Sequence, residues 1–279
     1  MAKTTLTISS KNYSSWSLRG WLLAKFSGLE FEEVVTAPDD ASARAEILLL
    51  SSSILVPCLR HEGAVVWDTL AIAEYLNEVM PDAGLLPKDR VQRAHCRSIC
   101  GEIHSGFTTL RASLPVNLKG HFPGFKIWSR AQADIDRVCT IWRECLAESG
   151  GPFLFGERSM ADAMYAPVVS RFQTYAVEVG AVARDYMAAV MALPAWSEWR
   201  TAGVKEPWVL PEDEEPEEGG ETNFSRLGIS FPPQAGTLLM WNNARPDGTV
   251  NPEVLHAGMP VVRGVKYVIT KWFRVRRWS

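Results

Sequence analysis

The stretch Asn12-Tyr13-Ser14-Ser15-Trp16-Ser17-Leu18-Arg19 constrains this chain most, because two patterns of different period meet there. Before it, residues 5–9 alternate polar and apolar side chains, which predicts a half-buried strand. After it, apolar residues recur at helical spacing as far as Phe26, and Gly28 is placed to end the helix. The sequence therefore predicts a polar turn that ends one strand and opens one helix.

Serines occupy the start of this predicted helix. A hydroxyl in the first turn lies beside unpaired backbone N–H groups and the positive end of the helix dipole. Such a position stabilises an anion, and a thiolate is one. Ser14 and Ser15 are the candidates. The alternative is that either serine only caps the helix.

Two further stretches lie where predicted strands begin or end. Val56-Pro57 begins the next strand pattern, where a cis peptide bond would fix a close approach to a ligand. Asp68-Thr69 follow another strand and cap an amphipathic helix. Strands that alternate with helices predict an α/β layer fold for residues 1–80.

Taken together, these stretches resemble the thioredoxin-like half of glutathione transferases, and Ser-Ser-x-Ser-x-Arg is most similar to the serine-dependent, zeta-like members. The resemblance runs from about residue 4 to residue 210. It implies an α/β thioredoxin-like N-terminal domain at residues 1–80 and an all-α glutathione transferase domain at residues 81–211. It also implies a cytoplasmic homodimer that uses glutathione as co-substrate.

The resemblance assigns residues to the cysteinyl and γ-glutamyl parts of glutathione. Ser14 would stabilise the thiolate, with Ser15 the next candidate and Ser17 the third. Val56 and Pro57 would hold the cysteinyl part. Asp68 and Thr69 would anchor the γ-glutamyl end, where the helix dipole also favours a carboxylate.

Other positions of the family pattern are filled differently. Tyr13 is an alternative hydroxyl donor to the thiolate. Trp16 stands where the isomerases among zeta members usually carry cysteine, and residues 38–53 lack a match to the glycine-end contacts. A second, electrophilic substrate would lie between the domains, against Trp16 and Phe107.

Helical patterns dominate residues 81–211, and three long helices are predicted over residues 89–114, 129–147 and 159–179. Ser159 and Asp162 have the spacing of a capping box. Cys96, Cys100 and His104 follow at intervals of four, so one helix face would present all three. They form either a metal site or, as buried helical cysteines often do, part of the core.

Composition limits the class of protein. A chain of 279 residues suggests two domains, and the net charge of −3 gives no reason to expect nucleic acid binding. No signal peptide and no membrane-spanning apolar run is visible. The odd number of cysteines, five, fits a reduced cytoplasmic protein.

The last part of the chain differs in kind. An acidic linker at residues 212–222 leads to a strand-like, turn-rich and increasingly basic tail at residues 223–279. Residues 219–224, 236–241 and 255–267 resemble the end of prolyl 4-hydroxylase-type Fe(II)/2-oxoglutarate dioxygenases. The resemblance implies that His256 is the distal iron ligand and that Lys266 pairs with 2-oxoglutarate.

That metal site is incomplete in the sequence. A facial triad needs two histidines and one carboxylate, and no His-x-Asp or His-x-Glu occurs anywhere in the chain. The 57 residues of the tail are also too few to close the β-sandwich. The tail is therefore expected to be an incomplete double-stranded β-helix that binds neither Fe(II) nor 2-oxoglutarate.

The sequence predicts a glutathione transferase that reacts the glutathione thiolate with a small electrophile. One alternative is a non-catalytic protein that binds glutathione or another ligand. The other is the remnant of an Fe(II)/2-oxoglutarate oxygenase in the tail.

Overall fold

The structure, a computed structural model, describes residues 4–36, 56–127, 129–210, 218–219, 221–231, 239–258 and 261–263. The chain divides into two compact units, Met1–Asp213 and Glu214–Ser279. In the described residues of the first unit the helices are α1 (Ser15–Ser27), α2 (Thr69–Val79), α3 (Arg90–Ser105), α4 (Thr108–Ser113), α5 (Ser129–Ser149), α6 (Met160–Thr174), α7 (Ala181–Met191) and α8 (Pro194–Gly203). A 3₁₀ turn, Pro81–Ala83, follows α2.

A four-stranded sheet opens the first unit. Its strands are β1 (Thr5–Ile8), β2 (Glu32–Val35), β3 (Cys58–His61) and β4 (Ala64–Trp67), in the order β2-β1-β3-β4. β2 runs parallel to β1, whereas β3 is antiparallel to both β1 and β4. The apolar residues of β1 are fully buried and its threonines are half-buried, as the alternation predicts. This is the expected thioredoxin-like domain.

Helix α1 is capped at both ends by the residues that the sequence singles out. Ser14 is the N-cap, and its side-chain oxygen accepts a hydrogen bond from the Ser17 N–H. Gly28 ends the helix in the left-handed conformation at φ 77°, where its N–H donates to the Lys25 carbonyl oxygen. The middle of the helix lies against Pro57, the residue before β3, since a Cβ at Gly20 would lie 2.4 Å from Pro57 Cγ. Glycine therefore lets α1 approach the sheet.

The helical part departs from the sequence in the first predicted helix, and the helix predicted over residues 159–179 ends early, at Thr174. The single helix expected over residues 89–114 is broken into α3 and α4, and this prediction was wrong. Gly106 is extended and Phe107 lies in the left-handed region at φ 56°. The Arg111 guanidinium reaches back and donates to the carbonyl oxygens of Ile103 and His104, which satisfies the C-terminal end of α3. A helical periodicity continues across this break, so the sequence does not reveal it.

The predicted capping box at the start of α6 is present. The Ser159 N–H donates to the Asp162 carboxylate at 2.8 Å, and Tyr186 donates to it at 3.1 Å. Burial raises the pKa of Asp162 to about 6, although these hydrogen bonds favour the charged form. Almost every residue of α6 is buried, so this helix is the centre of the all-α part.

The second unit contains short strands in its described residues. They are β5 (Glu218–Gly219), β6 (Thr222–Phe224), β7 (Ile229–Phe231), β8 (Ala257–Gly258) and β9 (Val261–Arg263), which pair as β5-β9 and β7-β6-β8. This is the extra β region expected of the tail. Residues 212–217 of the predicted acidic linker lie outside the described residues, as do residues 38–53. The finer domain boundaries stay predictions.

Candidate active site

Three of the predicted stretches meet at one end of the first sheet. In the ladder Thr7 pairs with Cys58, and Cys58 pairs with Trp67. Three segments therefore lie side by side: the turn that follows β1, the Val56-Pro57 segment that precedes β3, and the Asp68-Thr69 segment that follows β4. The Val56-Pro57 peptide bond is cis. Sheet register, rather than sequence separation, brings these residues together.

The serines of the turn have different environments. The hydroxyl oxygens of Ser14 and Ser17 lie 2.9 Å apart, and Ser14 Oγ also accepts from the Ser17 N–H at 3.2 Å. Ser17 is fully buried, and its Oγ accepts from the Ser9 N–H at 2.9 Å. Ser14 and Ser15 are half-buried. Across the described residues, no side-chain hydrogen bond involves Ser15.

Asp68 caps α2 from an unusual backbone conformation. Its φ is 76° and its ψ is 133°, a positive-φ conformation that a residue with a side chain seldom adopts. One carboxylate oxygen, Oδ1, accepts from the Leu70 N–H at 2.8 Å. The other, Oδ2, lies 3.2 Å from His104 Nε2 of helix α3. Backbone strain of this kind tends to occur at functional sites.

His104 touches both residues predicted to anchor the γ-glutamyl end. Besides its contact with Asp68, its Nδ1 lies 3.4 Å from Thr69 Oγ1. The same ring meets the Trp16 indole edge-on, with ring centroids 5.0 Å apart. A side chain of the helical part thus joins the N-termini of α1 and α2.

Two arginines hold Trp16 in place. The Arg19 guanidinium lies over the indole at 4.6 Å from its centroid, and that of Arg111 at 5.1 Å. Arg19 also clamps α1 to α6, since its Nε donates to the Met164 carbonyl oxygen at 2.8 Å. Burial lowers the pKa of Arg19, and the charges of Arg171 and Arg111 lower it further. Trp16 remains half-buried at the site, whereas Phe107 is only 7% exposed and belongs to the core.

The sequence did not single out His104 or Arg111 for this site. Helical geometry alone distinguishes His104 from Cys96. Each residue advances about 100° around the helix axis, so the eight steps from Cys96 to His104 leave the two side chains about 80° apart around the helix. Cys96 and Cys100 accordingly lie in the core, while His104 faces Asp68. Among the described residues, no group of three potential metal ligands exists. The metal alternative for this trio therefore finds no support there.

Comparison with known proteins places this geometry in a family. A family profile described as the glutathione S-transferase N-terminal domain matches residues 13–79, and the C-terminal domain profile matches residues 126–202. Maleylacetoacetate isomerase of Rattus norvegicus is 30% identical over 172 residues, which cover 59% of this chain and 76% of that protein. The chain belongs to the glutathione S-transferase family.

Other relatives of the family agree on the fold. A glutathione transferase homologue from Burkholderia, solved with bound glutathione, is 23% identical at a TM-score of 0.57, covering 74% of this chain and all of that one. A probable maleylacetoacetate isomerase of Caenorhabditis elegans is 35% identical over 96 residues, which cover 34% of this chain. The matched region spans only 44% of that relative's length. A glutathione S-transferase fold therefore describes the first unit.

The second unit matches a different family. The profile of the 2OG-Fe(II) oxygenase superfamily matches residues 207–274. Probable prolyl 4-hydroxylase 3 of Arabidopsis thaliana is 40% identical over 78 residues, but these span 27% of that protein and 21% of this chain. The tail is thus related to a fragment of an oxygenase, as its sequence predicts.

The described part of the tail does not fit an iron centre. The His256 ring packs against Trp241 at 4.4 Å and Phe224 at 5.5 Å between centroids, and His256 Nδ1 lies 3.0 Å from the Val254 carbonyl oxygen. Its neighbours there are aromatic rings rather than ligands, and no metal-ligating cluster exists among the described residues. Lys266 lies outside the described residues.

No described helix is both long enough and apolar enough to cross a membrane.

Proposed function

We propose that this chain is a glutathione transferase in which the Ser14 hydroxyl stabilises the glutathione thiolate for attack on a small electrophile. The observation that supports it most is the convergence of Ser14, the cis Val56-Pro57 bond and Asp68-Thr69 at one sheet end. Glutathione is present in the Burkholderia relative and supplies the candidate co-substrate. A homodimer and a cytoplasmic location are part of the same proposal.

The required chemistry is modest. A free thiol has a pKa of about 8.5, so only a few per cent is thiolate at neutral pH. One hydroxyl hydrogen bond together with the α1 N-terminus would lower that pKa by about two units, or nearly 3 kcal/mol. The thiolate fraction would then rise about twentyfold. Ser14 is placed for this role because it is the N-cap of α1 and half-buried.

The remaining groups would hold the substrates. Val56 and Pro57 would contact the cysteinyl part of glutathione. Asp68 and Thr69 would anchor the γ-glutamyl end, and the contact of His104 with both residues supports that pairing. Trp16, which the guanidinium groups of Arg19 and Arg111 both contact, would form part of the apolar wall for the electrophile.

A conjugation assay on single-serine variants tests the proposal. We expect Ser14→Ala to lower kcat/KM for glutathione and 1-chloro-2,4-dinitrobenzene by roughly one to three orders of magnitude, with a smaller change in glutathione binding. Ser15→Ala is the matched control, one residue away and outside the hydrogen-bond network described above. Because Ser14 caps α1, its removal also costs about 0.5–2 kcal/mol of stability, so unfolding is measured alongside.

The outcomes separate the alternatives. If Ser15→Ala carries the whole loss and Ser14→Ala none, the catalytic hydroxyl is displaced by one residue. If neither variant changes the rate, serine does not activate the thiol. Tight glutathione binding without any conjugation by the wild-type chain would indicate a non-catalytic glutathione-binding protein.

A further inference from the structure

A short chain of hydrogen bonds runs behind the Ser14 hydroxyl. The Ser9 N–H donates to Ser17 Oγ at 2.9 Å, and Ser17 Oγ lies 2.9 Å from Ser14 Oγ. The Ser17 N–H also donates to Ser14 Oγ, at 3.2 Å. Ser17 is fully buried, whereas Ser14 is half-buried. These hydrogen bonds thus run from Ser9, directly after β1, through the buried Ser17 hydroxyl to Ser14 at the site.

The direction of the hydroxyl–hydroxyl bond follows from counting donors and acceptors. A serine hydroxyl carries one proton, which rotates to whichever acceptor is in reach. If Ser14 donates to Ser17, the buried Ser17 proton has no acceptor among the described groups, and an unpaired buried donor costs about 1–3 kcal/mol. If Ser17 donates instead, its proton has an acceptor. The Ser14 hydroxyl can then point its own proton towards the site and donate there.

We propose that Ser17 is a positioning residue, which donates its hydroxyl proton to Ser14 Oγ and thereby directs the Ser14 proton onto the glutathione thiolate. This inference rests on the proposed function, since it assigns a role relative to Ser14. No covalent bond is made or broken. The Ser17 proton stays on Ser17 and the Ser14 proton stays on Ser14, so the step is a reorientation of two hydroxyl groups.

The arrangement strengthens Ser14 as a donor. Its oxygen then accepts two hydrogen bonds, from the Ser17 N–H and the Ser17 hydroxyl. Hydrogen bonds in a chain polarise one another, so a hydroxyl that accepts from behind donates more strongly in front. Ser17→Ala retains the backbone N–H cap of Ser14 and removes only the hydroxyl. The substitution therefore isolates this contribution.

The test is a pH titration of bound glutathione, followed through the ultraviolet absorbance of its thiolate in the full chain at saturating glutathione. We expect Ser17→Ala to raise the pH of half-ionisation by about 0.5–1 unit, as the loss of one neutral hydrogen bond predicts. Ser14→Ala should raise it further. The double variant Ser14→Ala/Ser17→Ala should have the same midpoint as Ser14→Ala alone, because Ser17 acts only through the Ser14 hydroxyl.

Two further variants distinguish this role from a purely structural one. Ser27→Ala removes another buried serine hydroxyl of α1, which donates to the Ala24 carbonyl oxygen at 2.8 Å far from the turn. It should lower the melting temperature without shifting the titration, and Ser17→Thr, which keeps the hydroxyl, should restore the wild-type midpoint. An unshifted midpoint in Ser17→Ala, or additive shifts in the double variant, would overturn the inference. An unshifted midpoint in Ser14→Ala would instead refute the proposed function itself.

Discussion

Asp68 shows how much of the site can be predicted at the scale of a residue. The sequence predicts that it caps a helix, because an aspartate precedes an amphipathic pattern, and the structure confirms this. Its positive φ and its contact with His104 were not predictable. The first depends on how β4 turns into α2, and the second on the packing of α3 against that turn. Local signals identify a residue, whereas its partners follow from tertiary contacts.

Asp68→Asn tests the charge of this residue while keeping its structural role. Asparagine also caps helices and has nearly the same shape as aspartate, so stability should change little. Losing a charged hydrogen-bond partner should weaken glutathione binding by about 1.5–3 kcal/mol, which isothermal titration calorimetry resolves. Asp89→Asn, at the N-cap of α3, is the matched control and should leave affinity unchanged. Wild-type affinity in folded Asp68→Asn would place the γ-glutamyl end elsewhere.

Helices α1 and α3 illustrate the scale of the element. For α1, the sequence predicts both caps, because serine and glycine at a helix end are strong local signals. For α3, it fails at Gly106, because the break depends on a guanidinium that reaches back from α4. A side-chain hydrogen bond to a carbonyl group seven or eight residues back leaves no periodic trace in the sequence. The ends of elements are therefore predictable only where their own residues determine them.

Substitution by alanine should change stability in opposite directions at two helical glycines. At Gly20 a Cβ would lie 2.4 Å from Pro57 Cγ, so Gly20→Ala should displace Pro57 or α1, cost about 1–3 kcal/mol and weaken glutathione binding. At Gly101, inside α3, none of the described atoms outside the helix's own nearby backbone lies within 4 Å of the added Cβ. Gly101→Ala should therefore stabilise the chain by about 0.5–1 kcal/mol. Chemical denaturation measures both, and a neutral Gly20→Ala would contradict the close packing.

At the scale of the whole molecule, the chain joins two kinds of sequence. Its first unit belongs to a family whose profiles match both of its halves, and its second matches a portion of an oxygenase. Both assignments were predictable, because each rests on strings of residues with local meaning. The missing iron ligands were equally visible, since two of the three positions of a facial triad have no counterpart in the sequence.

Chemistry should therefore be confined to the first unit. We expect no stoichiometric Fe(II) binding and no 2-oxoglutarate decarboxylation by the full chain, because an incomplete ligand set is outcompeted by water and buffer. A chain ending at residue 211 should retain glutathione conjugation. Metal analysis after anaerobic loading and the conjugation assay on both chains are the measurements. Tight one-to-one Fe(II) binding lost in His256→Ala, or a large loss of conjugation on truncation, would refute this expectation.

The placement of the cysteines has a practical consequence for labelling. Four of the five are buried and Cys139 is half-buried, and burial raises the pKa of the Cys145 thiol to about 12. A thiol reagent applied to the folded protein with glutathione should thus report almost entirely on the tripeptide. For the same reason, one cysteine introduced on the surface should take a fluorophore selectively. Spectroscopy of this protein should not require the removal of its native cysteines.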